Sequence, residues 1–228
     1  WFRSQCYYDT GSWRATWKGE GGGVLINQCP HQLDLLQWVV GKKPVSVNGF
    51  CEYGKWHDIE VEDEVTAYFR YKNGATGVFI TTTGEAPGGN RLEISGTKGK
   101  LLCENDKIEF YRLSEDVNEF SKHNEVLFAQ PKDEKIAVET DGKNPQHLGI
   151  INNFTQAILG KEKLFVSGAD GISSVELMNA IEYSGWRGGA ETQIPVDENE
   201  YLNALNKKRE SSRRKNVAEK IADTTGTY

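Results

Sequence analysis

The sequence predicts an α+β fold: a large, open, mostly antiparallel β-sheet with α-helices packed on one face. Three observations carry this. Between residues 45 and 110, four or five period-two stretches are separated by turn signals with no helical stretch between them, the pattern of strands that pair antiparallel through short connections. Residues 147–159 and 171–187 carry apolar side chains at helical spacing, as helices lying on a sheet do. A glycine run at 19–23 leads into a further apolar helical stretch that closes at Gly41, a residue type suited to the left-handed position after a helix.

Residues 1–18 interleave Trp1, Phe2, Tyr7, Tyr8, Trp13 and Trp17 with Arg3, Arg14 and Lys18. Such mixtures can bind single-stranded nucleic acid, but an end strand and a loop packed on the following helix explain them better. In the helical stretch, Asn27, His31 and Asp34 stand at i, i+4 and i+7 and so share one stripe. Pro30 lacks a backbone donor, so the helix either kinks there or begins its regular part with Pro30 as first residue.

Beyond Pro44, Val45 and Val47 begin a strand running towards Phe50 and Cys51. Residues 65–71 and 76–82 form a hairpin about Asn73-Gly74, a pair that tolerates positive φ. Leu92 and Ile94 precede a second turn, Gly96-Thr97-Lys98-Gly99, with Leu101 and Cys103 beyond it, and Asn105-Asp106 leads on to Ile108 and Phe110. Residues 85–90 read as a connector. Residues 113–133 are charged and weakly patterned, a long excursion, and 135–140 can return as a strand. Ile150, Ile151, Phe154, Ala157 and Ile158 give the next helix a broad apolar face, closed by Gly160. Ile172, Val175, Leu177, Met178, Ile181 and Tyr183 do the same for the last sheet-covering helix. His147 reads as a solvated or capping histidine more readily than a pocket residue. The composition shifts at Pro195, so residues 1–195 are expected to form the α+β domain and 196–228 a charged helix or tail. The seven Lys or Arg against two Glu in 207–220 read as a solvated helix face or a frayed terminus.

Composition narrows the function. The chain has 228 residues and a formal net charge of −6, which disfavours nucleic acid and anionic membrane as partners. No apolar run approaches the length of a membrane span. The four cysteines, Cys6, Cys29, Cys51 and Cys103, show neither C-x-x-C nor zinc-type spacing, so no metal site is expected and free thiols in a reducing cytoplasm are the default.

Several motifs, met in order, identify a resemblance. Gly21-Gly22-Gly23-Val24-Leu25-Ile26-Asn27-Gln28-Cys29-Pro30-His31-Gln32-Leu33-Asp34-Leu35-Leu36-Gln37-Trp38 is similar to the signature helix of the glucose–fructose oxidoreductase / inositol dehydrogenase / MocA (Gfo/Idh/MocA) family of NAD(P)-dependent oxidoreductases. Gln5 through Trp17 resembles the segment leading into it, Ile94-Ser95-Gly96-Thr97-Lys98-Gly99-Lys100-Leu101 its strand–turn–strand, and Asn153–Gly160 and Gly168–Ser184 its two late helices. The resemblance runs to about Pro195. It implies a substrate-binding domain whose active-site histidine is His31, with the loop carrying Tyr8, Trp13 and Arg14 bordering the substrate pocket. A sugar, an inositol or a related polyol is the implied substrate, and a homo-oligomer formed through the open sheet face is the implied assembly.

The resemblance also implies what this chain does not carry. The Gly19–Gly23 run has Val24 where a Gly-x-Gly-x-x-Gly dinucleotide loop needs glycine, and no strand–turn–helix unit precedes it. The family's Glu-Lys-Pro motif is absent as well. NAD or NADP is therefore expected to be held by a preceding domain, and this chain alone is expected to be inactive. Hydride exchange at a carbinol carbon needs a proton taken from or given to its hydroxyl, a task suited to an imidazole. Many family members place Asp where this chain has Asn27. An amide takes no proton and can only orient a hydroxyl or the imidazole, and Asp34, one turn on, can supply a carboxylate only if it points the same way. Two readings follow. Either the chain is the substrate domain of a dehydrogenase with His31 and Asn27 at its centre and Arg14, Trp13, Tyr8 and Asp34 around the substrate, or it is a non-catalytic sugar-binding or oligomerisation module of the same fold.

Overall fold

Period-two patterning produces the first sheet. In this computed structural model, which describes residues 1–213 and 215, the strands β1 (Ser46–Tyr53), β2 (Glu62–Arg70) and β3 (Thr76–Thr82) form an antiparallel meander, and the short β8 (Thr192–Gln193) adds to the free edge of β1. The β2–β3 turn places Gly74 at φ 84°, as the Asn-Gly pair predicts. Val47, Val65, Ala67 and Phe69 are fully buried on one face. Phe50, Val78 and Ile80 on the other face are more than half exposed.

A second antiparallel sheet, in the order β4-β5-β6-β7, comprises β4 (Arg91–Gly96), β5 (Gly99–Glu104), β6 (Lys107–Leu113) and β7 (Asp133–Ile136). The β5–β6 turn holds Asn105 and Asp106 at φ 51° and 58°, a left-handed pair that asparagine and aspartate tolerate. The fold class is the expected one. Its strands are distributed over two four-stranded sheets rather than one continuous one, and the chain divides into two compact units, residues 1–88 with 168–228 and residues 89–167. The Pro87-Gly88-Gly89 connector, which offers no ladder-forming side-chain pattern, marks the change.

The helices are α1 (Gln5–Tyr8), α2 (Val24–Asn27), α3 (Pro30–Val40), α4 (Val117–His123), α5 (Gln146–Ile158), α6 (Ile172–Trp186) and α7 (Glu198–Glu210). Pro30 takes the first-residue role, so the predicted single helix is two, and α3 ends with Gly41 at φ 66°. Asp116 caps α4 by accepting the Asn118 N–H; this helix lies in the stretch read as an excursion. In the first unit α6 lies against β1. An added Cβ at Gly49 would stand 2.5 Å from the Ile181 carbonyl oxygen, and Ser184 Oγ accepts the Gly49 N–H and donates to the Ala190 carbonyl at 2.8 and 2.6 Å. Leu177, Met178 and Ile181 are buried with Val24, Leu25, Leu33 and the inner face of β1–β3.

α5 departs from expectation. None of its residues is buried; Ile150, Ile151, Phe154 and Ile158 are all at least half exposed, and His147 is exposed too. Its apolar stripe is a real property of the sequence, but the helix belongs to the smaller unit, where no core reaches it. α7 is the charged helix expected near the C-terminus, capped by Asp197. It is attached to the first unit by Leu205 and by Tyr201, which stacks on Trp186 at 5.3 Å. Residues 214 and 216–228 of the predicted basic tail lie outside the described residues. Among the described residues no helix is long and apolar enough to cross a membrane.

Candidate active site

The glycine run is held by a buried acid. Glu62 is fully buried, accepts the Gly23 N–H at 2.8 Å on both oxygens and accepts the Leu25 N–H at 3.0 Å. These are the orphan donors at the start of α2, which a carboxylate satisfies well. Glu62 reaches them because the β1–β2 register slips at Glu52/Tyr53. Such a bulge lets two neighbouring residues escape strict alternation, so Glu62 and Asp63 are both buried in succession. Asp63 faces the other way, accepting the Lys55, Trp56 and His57 N–H groups at 2.8 to 3.1 Å.

From this anchor α2 presents Asn27 at its last position. Tyr7 donates its hydroxyl proton to Asn27 Oδ1 at 2.9 Å, Gln28 Nε2 donates to the same oxygen at 2.8 Å, and Asn27 Nδ2 donates to Glu20 Oε1. Arg14 Nη1 donates to the Tyr7 hydroxyl at 2.8 Å and stands 3.8 Å from Glu20. Its guanidinium lies 4.5 Å from the Tyr7 ring and 4.7 Å from the Trp13 ring, within cation–π range. Among the described residues the Arg14 Nε is buried without a hydrogen-bond partner. Trp13 is half exposed beside it.

His31 is the second residue of α3, four past Asn27, exposed and without a hydrogen bond or ion pair among the described residues. Its ring is not committed to the fold. The predicted residues Asn27, Arg14 and Trp13 come together in one cluster. Two others go elsewhere. Tyr8 is buried and donates to Thr83 Oγ1 at 2.8 Å; burial pushes its phenol up to about 12, so it remains a neutral O–H in the core. Asp34 accepts from Ser174 on α6 at 3.4 Å, which turns it towards the α3–α6 contact and away from Asn27. A helix of 3.6 residues per turn, interrupted before Pro30, does not keep i and i+7 on one stripe.

Tyr7, Glu20 and Gln28 complete the cluster and were not singled out from the sequence. Tyr7 adjoins Tyr8, and on a single turn of helix nothing in the sequence tells which of two adjacent tyrosines faces inward. Glu20 explains the amide at 27. An amide accepts from Tyr7 and donates to Glu20 at once; a carboxylate there would set two like charges together. Asn27→Asp is therefore expected to destabilise the protein by about 1–2 kcal/mol at neutral pH, a loss that shrinks at acid pH. Denaturant melts of both forms at pH 5 and pH 8 check it.

The loop that carries Trp13 and Arg14 is held from below. Glu60 accepts the Trp17 N–H at 2.7 Å and the Arg213 N–H at 2.8 Å, and Ser212 Oγ donates to Glu60 while accepting the Lys18 N–H at 3.1 Å. The stretch after α7 is thus bonded to the segment bordering the cluster. The Gly19–Gly23 glycines do not form a dinucleotide cradle. The Gly23 and Leu25 N–H groups are already taken by Glu62, and a Cβ at Gly19 would meet the Trp13 backbone at 2.3 Å, so these glycines serve close packing. Among the described residues no three His, Cys, Asp or Glu are grouped to hold a metal ion. All four cysteines are free; burial pushes the Cys29 thiol up to about 12.

Comparison with known proteins agrees with this architecture. Residues 1–102 match the family model described as the GFO/IDH/MocA C-terminal domain. Among solved structures the chain is similar to the WlbA dehydrogenase from Bordetella pertussis in complex with NADH and UDP-GlcNAcA, at 26% identity and TM-score 0.66, over 86% of this chain and 52% of that one. It is similar to the WlbA dehydrogenase from Chromobacterium violaceum, in complex with the same two molecules, at 28% identity and TM-score 0.68, over 86% and 53%. A levoglucosan dehydrogenase in complex with NADH shares the fold at 20% identity and TM-score 0.63, over 86% of this chain and 56% of that one. The chain spans about half the length of the solved structures it matches.

Proposed function

We propose, from the match of residues 1–102 to the GFO/IDH/MocA C-terminal domain, that this chain is the substrate-binding domain of an NAD(P)-dependent oxidoreductase acting on a sugar, an inositol or a related polyol. One observation carries the reading: the polar cluster of Tyr7, Arg14, Glu20, Asn27 and Gln28 converges one turn before an uncommitted histidine, His31. An array of hydroxyl, guanidinium, amide and carboxylate groups edged by the Trp13 indole suits a polyhydroxylated ring, which offers a donor and an acceptor at each carbon. His31 takes or returns the proton of the reacting hydroxyl, and Asn27 orients that hydroxyl. The glycine run does not fit a dinucleotide, because the helix-start N–H groups that would cradle its phosphates are occupied by Glu62, and this supports assigning the cofactor to a domain outside this chain.

Arg14 refines the substrate class. Its unpartnered buried Nε suits a ligand carboxylate, and both WlbA structures hold a sugar bearing an acid group, UDP-GlcNAcA. A second copy of the chain covering the Phe50, Val78 and Ile80 face gives the homo-oligomer. The test follows nicotinamide absorbance with the full-length protein, offered UDP-GlcNAcA, neutral UDP-sugars, free hexoses and inositols in turn. Reduction of the cofactor with any of these supports the dehydrogenase reading, and preference for the acid sugar supports the role of Arg14. Sugar binding with no cofactor turnover establishes the non-catalytic module instead.

A further inference from the structure

Beneath the glycine run lies a second buried acid that the reading above does not use. Glu182, on α6, is 4% exposed against 0% for Glu62. A Cβ on Gly22 would stand 3.5 Å from Glu182 Oε2, and the N–H of the next residue, Gly23, is bonded to both oxygens of Glu62, so the two carboxyl groups meet beneath the glycine run. Their surroundings differ. Glu62 has both oxygens occupied by backbone N–H groups at the start of α2, where negative charge is favoured. Among the described residues, Glu182 Oε1 and the Trp186 indole N–H are both buried without a well-aligned hydrogen bond, although Trp186 stands close enough to Glu182 to favour its charged form. Two carboxylates buried side by side do not both ionise.

We propose that Glu62 and Glu182 form a one-proton acid pair, with the charge on Glu62 and the proton on Glu182, and that this pair fixes the start of α2 and hence the placement of Asn27 and His31. The inference rests on the substrate-site reading for its last clause only. Among the described residues, charged and titratable groups face the pair from each element packed against it. Glu20 comes from the loop before α2, Cys51 and Tyr53 from β1, and Tyr201 and Lys208 from α7. Burial raises both acids, and Lys208 partly offsets this for Glu182. Lys208 is itself held over the Trp17, Tyr53 and Trp186 rings at 5.3 to 5.9 Å. The geometry makes Glu62 and Glu182 positioning residues, acting on substrate through the α2 backbone.

The sign of the pH dependence follows. The folded state keeps a proton that the unfolded chain releases above the ordinary carboxylate range, so the pair weakens the fold as pH rises from that range towards the raised value. Glu182→Gln, which donates an N–H to Glu62 as the protonated acid does, removes this dependence. In urea unfolding of the full-length protein between pH 5.5 and 7.5, the ratio of wild-type to Glu182→Gln unfolding constants is expected to rise by about tenfold per pH unit. A ratio independent of pH overturns the pair. For positioning, Glu62→Gln has one acceptor oxygen for two N–H donors, and kcat is expected to fall at least about tenfold with the KM for nicotinamide cofactor within about twofold. Glu62→Asp, with the charge withdrawn by one methylene, gives the same split in milder form and decides the matter where Glu62→Gln does not fold. A folded Glu62 variant with full kcat overturns the positioning role. Were His31→Ala fully active, the substrate-site reading would fall while the pH slope still judged the acid pair.

Discussion

Replacing His31 by alanine in the full-length protein is expected to lower kcat/KM by about 10²–10⁴, with the dissociation constant for NADH unchanged. Among the described residues nothing engages this histidine, which leaves its ring available for the proposed role. It sits at the second position of α3, exposed and unpartnered among the described residues, while Asn27 beside it is bonded to Tyr7, Glu20 and Gln28. Its removal therefore costs little packing, and the thermal midpoint should stay within about 2 °C of wild type, since exposed substitutions away from special features shift stability by about 0.5 kcal/mol or less. A large loss of turnover with an unchanged melt assigns proton transfer to His31. Unchanged turnover assigns it elsewhere. Steady-state kinetics monitored by nicotinamide absorbance, paired with calorimetry, separate these outcomes.

Gly23→Ala is expected to have the largest effect on stability. An ideal Cβ on Gly23 would lie 2.0 Å from the Glu62 carbonyl oxygen and 2.9 Å from Val61 Cγ2. Neither can yield, because Val61 is fully buried and Glu62 belongs to the β1–β2 ladder. The helix start must move away, which breaks the carboxylate's bonds to the Gly23 and Leu25 N–H groups. Overpacking and the loss of a buried charged cap together are worth about 3–5 kcal/mol. Gly21→Ala is a contrasting control. Gly21 has open space around its Cβ position but a φ of 83°, so its cost comes from backbone strain alone and should be about 1 kcal/mol. Denaturant midpoints of the two variants, side by side, measure the difference between contact and conformation.

Much of this was legible in the residues. Strict alternation in 65–71 and 76–82 specified a hairpin because a one-residue slip would expose every inward side chain. Gly41 marked the end of α3 because its left-handed backbone suits a terminus, whereas Pro30 offered either a kink or a first residue, and the structure decided for the second. The order of motifs from Gln5 to Ser184 carried the resemblance to the family and, through it, the proposal of His31 and Asn27. Apolar periodicity also announced α5, but periodicity states that a face is apolar and not what lies against it, and this helix has no buried residue.

What the sequence by itself determined is therefore local. It set the type and limits of most elements, the fold class, and the residue kinds available at the signature helix. What only the tertiary structure decided is which side chains meet. Tyr7 rather than Tyr8 joins Asn27, because α1 turns Tyr8 to Thr83. Asp34 answers Ser174, because the interruption at Gln28-Cys29 rotates it out of line. Glu62 reaches the glycine run from 39 residues away because a β-bulge frees it from alternation. These are contacts between segments distant in the chain. Their partners are fixed by packing and desolvation, which act on the folded neighbourhood and leave no period, spacing or motif in the sequence to read.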